Sequence, residues 1–171
     1  MSNYLIPLMV VVPMLCAILV NAFAKFNKSI KVLTFVVAIC LPIIPLLSNY
    51  GLHFFGGYTP MLDNATGVIY HPAITYAFDM LQQIFIVAVG LITFLVAFIY
   101  LSKYKKASGQ YLFLLFMGTA SVTALMLTDD IFNMFVFFEI LALVQVGIVI
   151  ASPMDYSYEM ALKYMILGSI G

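Results

Sequence analysis

The sequence has 171 residues, of which 65% are hydrophobic and 8% are charged, and its formal net charge is zero. Soluble domains carry about 25% charged residues, so this composition excludes a soluble protein, and the zero net charge argues against nucleic acid as a partner. Apolar runs of about 20 residues recur along the chain, the length that crosses a bilayer as a helix. The short alternating strands of a membrane barrel are not seen. We therefore predict an all-α fold, a polytopic membrane helical bundle.

The apolar runs predict five full transmembrane helices plus the start of a sixth, in a single membrane domain that covers residues 1–171. The predicted helices cover about 4–24, 30–50, 78–101, 111–128, 131–151 and 160–171. Residues 51–77 are rich in glycine, proline and aromatic residues, which predicts turns and an interfacial layer. The sixth run rises only about 18 Å as a helix, short of the roughly 30 Å bilayer core. We expect either that the chain is a fragment or that a partner completes the bundle.

The lysines predict how the helices cross the membrane. Six of the seven lie in or beside the loops that follow the first and third helices: Lys25, Lys28, Lys31, Lys103, Lys105 and Lys106. Lysine-rich loops stay on the cytoplasmic side of a membrane. We expect a multi-pass protein of the cell membrane, with cytoplasmic lysine loops, an N-terminus outside and the lipid bilayer as its environment.

One acid, Glu139, interrupts the apolar run "NMFVFFEILALVQVGIV" about nine residues into the fifth helix. This position is near the middle of the bilayer, where a charged side chain costs roughly 2.5 kcal/mol or more. Burial favours the protonated form of a carboxyl group, and a neighbouring cation favours the ionised form. A group that changes between these forms suits a proton relay, so we assign Glu139 to ion translocation; the alternative is a neutral acid hydrogen-bonded to a neighbouring helix.

Lys163, at the start of the sixth segment, is the second candidate for ion translocation. Its partner is either Glu159, four residues earlier on the same helix face, or a group on the fifth helix. It is equally well explained as a side chain that extends to the interface.

The fourth helix contains "GTASVTA", in which Thr119, Ser121 and Thr123 form a candidate polar path, although small residues there also favour close helix packing. Cys16 and Cys40 lie singly within apolar runs, and His53 and His71 have no ligand spacing. No nucleotide, haem or iron–sulfur motif occurs. We predict no catalytic site, no cofactor and no metal.

Two stretches carry a resemblance to a known family. "LTDDIFNMFVFFEILAL" at 127–143, followed by "YEMALKYMILGSIG" at 158–171, resembles the antiporter-like membrane subunits of complex I, Mrp sodium/proton antiporters and energy-converting membrane-bound hydrogenases. "FGGY" at 55–58 and "AFDMLQQIF" at 77–85 resemble the approach to that family's third helix. The sequence of the fifth helix is most similar to that of the D subunit of Mrp antiporters, and the resemblance covers essentially the whole chain.

The resemblance implies that Glu139 is the family's fifth-helix glutamate, which pairs with a buried lysine, and that Lys163 is the lysine at the start of its sixth helix. It implies about fourteen helices around two inverted five-helix repeats. The family's seventh-helix lysine, its eighth-helix relay and its second repeat have no counterpart in this sequence. The resemblance therefore implies that the chain corresponds to the N-terminal part of such a subunit.

These observations predict a subunit that translocates protons or sodium ions in a multisubunit membrane redox complex or a cation/proton antiporter, with other membrane subunits as partners. The alternative is a non-conducting structural or assembly subunit of such a complex. A small-solute carrier is disfavoured because carriers show paired repeats with broken helices.

Overall fold

The computed structural model describes residues 5–24, 27–48, 51–63, 67–104, 108–151 and 157–170, with the backbone alone at 27–29, 52, 53, 55–63, 67–73, 169 and 170. Its elements are α1 (Leu5–Ala22), α2 (Asn27–Leu47), β1 (Leu52–Asp63), β2 (Gly67–Phe78), α3 (Met80–Lys103), α4 (Gly109–Leu127), α5 (Ile131–Ile150) and α6 (Ser157–Ile170). The side chains of Lys25, Lys28, Lys105, Lys106, His53 and His71 lie outside the described part.

The six predicted helices are all present, and each begins and ends within three residues of its predicted bounds. Helices α1 to α5 are long and apolar enough to cross a membrane. Helix α6 has 14 residues and rises about 21 Å. The predicted class, a multi-pass helical membrane bundle, is confirmed.

The segment between α2 and α3 corrects one prediction. In place of the turns and interfacial layer predicted for residues 51–77, the strands β1 and β2 pair as an antiparallel β-hairpin, with a register that runs from Leu52 opposite Phe78 to Asp63 opposite Gly67. The sequence of β2, GVIYHPAITYAF, is rich in β-branched and aromatic residues, which favour strands. Both strands of a two-stranded sheet are edges, so Pro60 and Pro72 are tolerated where a central strand would exclude them.

The base of the hairpin is attached to the helices. Phe78 is fully buried, and Tyr76 is 8% exposed and packs in the same cluster as Ile6 of α1 and Leu127 of α4. The backbone N–H of Asp129 donates to the carbonyl of Thr75 at 3.0 Å, which joins β2 to the turn between α4 and α5. The hairpin therefore forms one end of the bundle core.

Helix α4 is the centre of the bundle, and it packs against α1, α3 and α5. Helix α2 packs mainly against α3, and α6 packs against α5. A second core cluster, around Leu112 and Phe116 of α4, joins α4 to Val20 of α1 and Ile30 of α2. This arrangement leaves α5 with α4 on one side and a wide exposed surface on the other.

Three predicted helix ends carry polar caps. The Asp130 carboxylate accepts from the N–H of Asn133 at 2.9 Å and caps α5. Gln82 accepts from the N–H of Asp79 at 3.2 Å at the start of α3. Gln83 donates to the Pro45 carbonyl at 2.8 Å, near the end of α2, where helix carbonyls have no donor of their own.

Candidate ion-translocation site

Glu139 lies on the face of α5 that points away from α4. The contact face of α5 includes the buried residues Asn133 and Val144. It also includes Gly147, because the side chain of Leu114 of α4 occupies the space where a side chain at Gly147 would lie. Successive helical residues are about 100° apart, which places Glu139 about 140° around the axis from Val144. The carboxylate is therefore on the opposite side, and Glu139 is exposed.

The surroundings of Glu139 on this face are apolar. At spacings of four or seven residues from it lie Phe132, Phe135 and Leu143, which are 60–75% exposed. We call these three residues, together with Glu139, the open face of α5. Such spacing is typical of a helix that packs against another helix. Glu139 is about 12 Å along the helix from Ile131, near its middle.

Glu139 has no hydrogen bond or ion pair with any residue that the structure describes. The ion pair found in the described ranges joins Lys163 and Glu159, at 2.6 Å, one turn apart on α6. Of the two partners considered for Lys163, the structure shows Glu159. The two predicted translocation residues are thus not in contact.

Helix α6 lies against the second half of α5. The hydroxyl of Tyr164 donates to Oε1 of Gln145 at 3.1 Å, so the neighbouring Lys163 lies at about the level of Gln145. Gln145 is six residues, or about 9 Å along the axis, from Glu139. Lys163 therefore lies nearer than Glu139 to the end of the bundle that carries the lysine loops.

The three residues of the predicted polar path are all buried. Thr119 donates to its own helix at Leu115 and forms a 2.9 Å hydrogen bond with Thr93 of α3. Ser121 donates to Met117 of its own helix. Thr119 and Thr123 line one small cavity, and Ser121 does not.

This cavity has a volume of about 10 Å³ and is lined by α1, α2, α3 and α4, including Met9, Leu41 and Gly90. That volume is close to the minimum that holds one water molecule. Because Pro13 and Pro45 have no N–H, the carbonyls of Met9 and Leu41 lack their usual helical donors. The cavity residues include none from α5, so this polar site and Glu139 lie on different sides of the bundle.

Thr93 was not predicted as part of the site. It is the one hydroxyl-bearing residue in the apolar stretch 84–99 of α3. A lone polar residue in such a stretch needs a partner in lipid, and this signal was available in the sequence.

The described residues contain no group of three histidine, cysteine, aspartate or glutamate side chains that could hold a metal ion. Cys16 and Cys40 are free thiols.

Comparison with known proteins shows which proteins this chain is similar to. No protein-family model matches the sequence. The chain is 38% identical over 168 residues to the uncharacterized protein MJ1309 of Methanocaldococcus jannaschii, a match that covers 98% of this chain and 33% of that protein.

Among solved structures, the chain is similar to a chain in the membrane-bound sulfane sulfur reductase, an archaeal respiratory membrane complex. The TM-score is 0.76 and the identity is 22%, over 98% of this chain and 34% of that one. This chain shares the fold of the matched part of that one. This sequence spans about a third of the length of each of these relatives.

Proposed function

We propose that this chain is an antiporter-like, ion-translocating part of a multisubunit membrane complex, and that Glu139 belongs to its ion relay. The observation that carries the proposal is the position of the Glu139 carboxylate, near the middle of α5 on an otherwise apolar open face. A carboxylate at this depth is costly, and acids within membrane helices usually face a protein interior or an ion pathway.

The open face of α5 supports a second step. A further membrane-spanning segment that covers this face would bring a side chain to Glu139. A cation on that segment would form an ion pair with the Glu139 carboxylate. When the charge of that cation changes, Glu139 would take up or release a proton. In a sodium-translocating subunit, the same change would bind or release a sodium ion.

Lys163 and the two cavity threonines have secondary places in this proposal. Lys163, which is paired with Glu159, would be the next relay residue between Glu139 and the lysine-loop side of the membrane. The hydroxyls of Thr119 and Thr123, beside a cavity of one-water size, would form a separate polar site in the α1–α4 bundle.

The partners proposed are other membrane subunits of a redox or cation/proton antiporter complex. The fold shared with a chain of a respiratory membrane complex supports this class. Redox energy or an ion gradient would then reach Glu139 through neighbouring subunits. The chain would lie in the cell membrane, with the lysine loops in the cytoplasm.

The test is the variant Glu139→Gln in the intact complex, with ion pumping measured in inverted vesicles by a pH-sensitive dye, with and without sodium. We expect pumping to fall at least about tenfold, because the amide cannot bind a proton. Assembly, measured by native gel electrophoresis, should be unchanged.

The matched control is Asp129→Asn, which makes the same chemical change at an exposed acid just before the start of α5. It should pump normally, and Glu139→Asp should retain part of the activity. Normal pumping by Glu139→Gln would instead support the non-conducting structural subunit. That alternative predicts that only deletion of the chain disrupts the complex.

A further inference from the structure

The α2–α3 side of the bundle carries a groove that is separate from Glu139 and from the threonine cavity. It has a volume of about 340 Å³. Its walls are the apolar side chains Val32, Phe35, Val36, Phe98 and Leu101, and its polar residues are Lys31 and Ser102. Val32, Val36 and Phe98 are each at least half exposed, so the groove opens outward from the bundle.

The polar residues lie at one end of the groove. Lys31 is near the start of α2 and Ser102 is near the end of α3, and the Lys31 ammonium donates to the Tyr104 carbonyl at 3.1 Å. The Lys103 ammonium lies 5.7 Å from the centre of the Tyr104 ring. Two ammonium groups therefore lie around Tyr104, at the end where both lysine loops leave the membrane.

The apolar part extends into the membrane from that end. Phe98 is four residues before Ser102, and Phe35 is four residues after Lys31, so both are about 6 Å deeper. The rings of Phe35 and Phe98 are 6.5 Å apart, and Phe35 is 6.0 Å from Phe94. These three rings form a continuous apolar floor below the ammonium groups.

Neither ammonium group forms an ion pair with a carboxylate in the part of the chain that the structure describes. The sequence has no acid before Asp63 and none between Asp79 and Asp129, and Asp79 precedes the opposite end of α3, about 36 Å away. The lysine ion pair found in the described ranges is that of Lys163 and Glu159 on α6. The positive charge at this end of the groove is therefore uncompensated by protein groups of α2 and α3.

We propose that this groove binds one phospholipid with an anionic headgroup. The phosphate lies against the Lys31 and Lys103 ammonium groups and the Ser102 hydroxyl, and an acyl chain lies along the aromatic floor. Basic pockets between transmembrane helices on the cytoplasmic side have this lipid chemistry. A polypeptide segment in the same groove would need an acid at the level of Tyr104 to match the charge.

The test is native mass spectrometry of the protein purified with any subunits that accompany it, titrated with phosphatidylglycerol or phosphatidylcholine of identical acyl chains. The unmodified protein should retain one phosphatidylglycerol with roughly tenfold or greater preference. The double variant Lys31→Gln/Lys103→Gln should lose that preference. Equal binding of both lipids to the unmodified protein would overturn the proposal.

The matched control is Lys105→Gln/Lys106→Gln, which also removes two positive charges, but from the adjacent loop. It should keep the preference; an equal loss in both double variants would show diffuse attraction to the membrane surface and would overturn a defined site. A photoreactive benzoylphenylalanine at position 98 identifies the occupant directly. Cross-linking to lipid supports the proposal, and cross-linking to polypeptide contradicts it.

Discussion

A hydrogen bond between the side chains of Thr93 and Thr119 joins α3 to α4. Each threonine hydroxyl also lies within hydrogen-bond distance of a carbonyl of its own helix. For Thr93 this is the carbonyl of Val89, and for Thr119 it is the carbonyl of Leu115. Neither hydroxyl is therefore left without a partner when the other is removed. This redundancy limits how much the interhelical bond contributes.

We predict a small but measurable coupling between these two threonines. The free energy of unfolding would be measured for Thr93→Val, Thr119→Val and the double variant. The coupling energy should be about 0.6 kcal/mol and no more than about 1.7 kcal/mol, the range of such bonds in membrane proteins.

The control cycle combines Thr93→Val with Ser121→Ala, because the bond described for Ser121 goes to Met117 of its own helix. These two changes should be additive. Coupling as large as that of the threonine pair would contradict the assignment of the bond.

Glu139 and Lys163 show what residue-scale reasoning can predict. The cost of an acid in lipid singled out Glu139 without any structure. The same reasoning left two partners open for Lys163, because one is a neighbour on its own helix and the other depends on how α5 and α6 pack. The structure shows Glu159, while the translocation roles of both residues stay predictions.

At the scale of elements, α2 and α3 approach so closely that only glycine fits at one point. A Cβ added at Gly90 would lie 2.8 Å from the nitrogen and 2.9 Å from the Cα of Pro42. Both atoms belong to the backbone of α2, so no side-chain rotation relieves the contact. The separation of the two helices therefore depends on this residue.

We predict that Gly90→Ala destabilises the protein by about 1–3 kcal/mol, as overpacking of a dense core does. Thermal unfolding in detergent, followed by circular dichroism, would measure the loss. Gly168→Ala is the matched control, because no heavy atom lies within 4 Å of its added Cβ. Equal stability of the two variants would show that α2 and α3 separate at little cost.

The hairpin shows why elements without a membrane-length pattern are harder to predict. Glycine and proline in residues 51–77 indicate turns, while the residues of β2 indicate a strand. The structure resolves this conflict because, among the described residues, neither strand pairs with a third strand, and because Tyr76 and Phe78 are buried against α1 and α4. Burial of the hairpin base is a tertiary effect that local preferences do not contain.

At the scale of the whole molecule, one helix separates the hairpin from each lysine loop, α2 on one side and α3 on the other, so the hairpin and the lysine loops lie at opposite ends of the bundle. The hairpin joins the α4–α5 turn at one end, and Lys31 meets Tyr104 at the other. Lysines favour the cytoplasmic side, so the hairpin is expected outside the cell.

We predict this orientation for cysteine-labelling experiments in a Cys16→Ala/Cys40→Ala background. Asp63→Cys, at the tip end of β1, should react with a membrane-impermeant maleimide in intact cells. Ser102→Cys should react only in inverted vesicles. The reverse pattern would contradict the orientation.

The sequence alone determined the number and approximate bounds of the helices, since the thickness of the bilayer imposes a length and composition that can be read locally. It also singled out Glu139, because the cost of a carboxylate in lipid does not depend on the neighbouring helices. The tertiary structure decided that Thr93 meets Thr119, that Gly90 meets Pro42, that β1 and β2 pair as a hairpin, and that Glu139 faces away from α4. These features depend on which helix faces meet, and nearly every face of this chain is apolar, so hydrophobic pattern does not distinguish the faces.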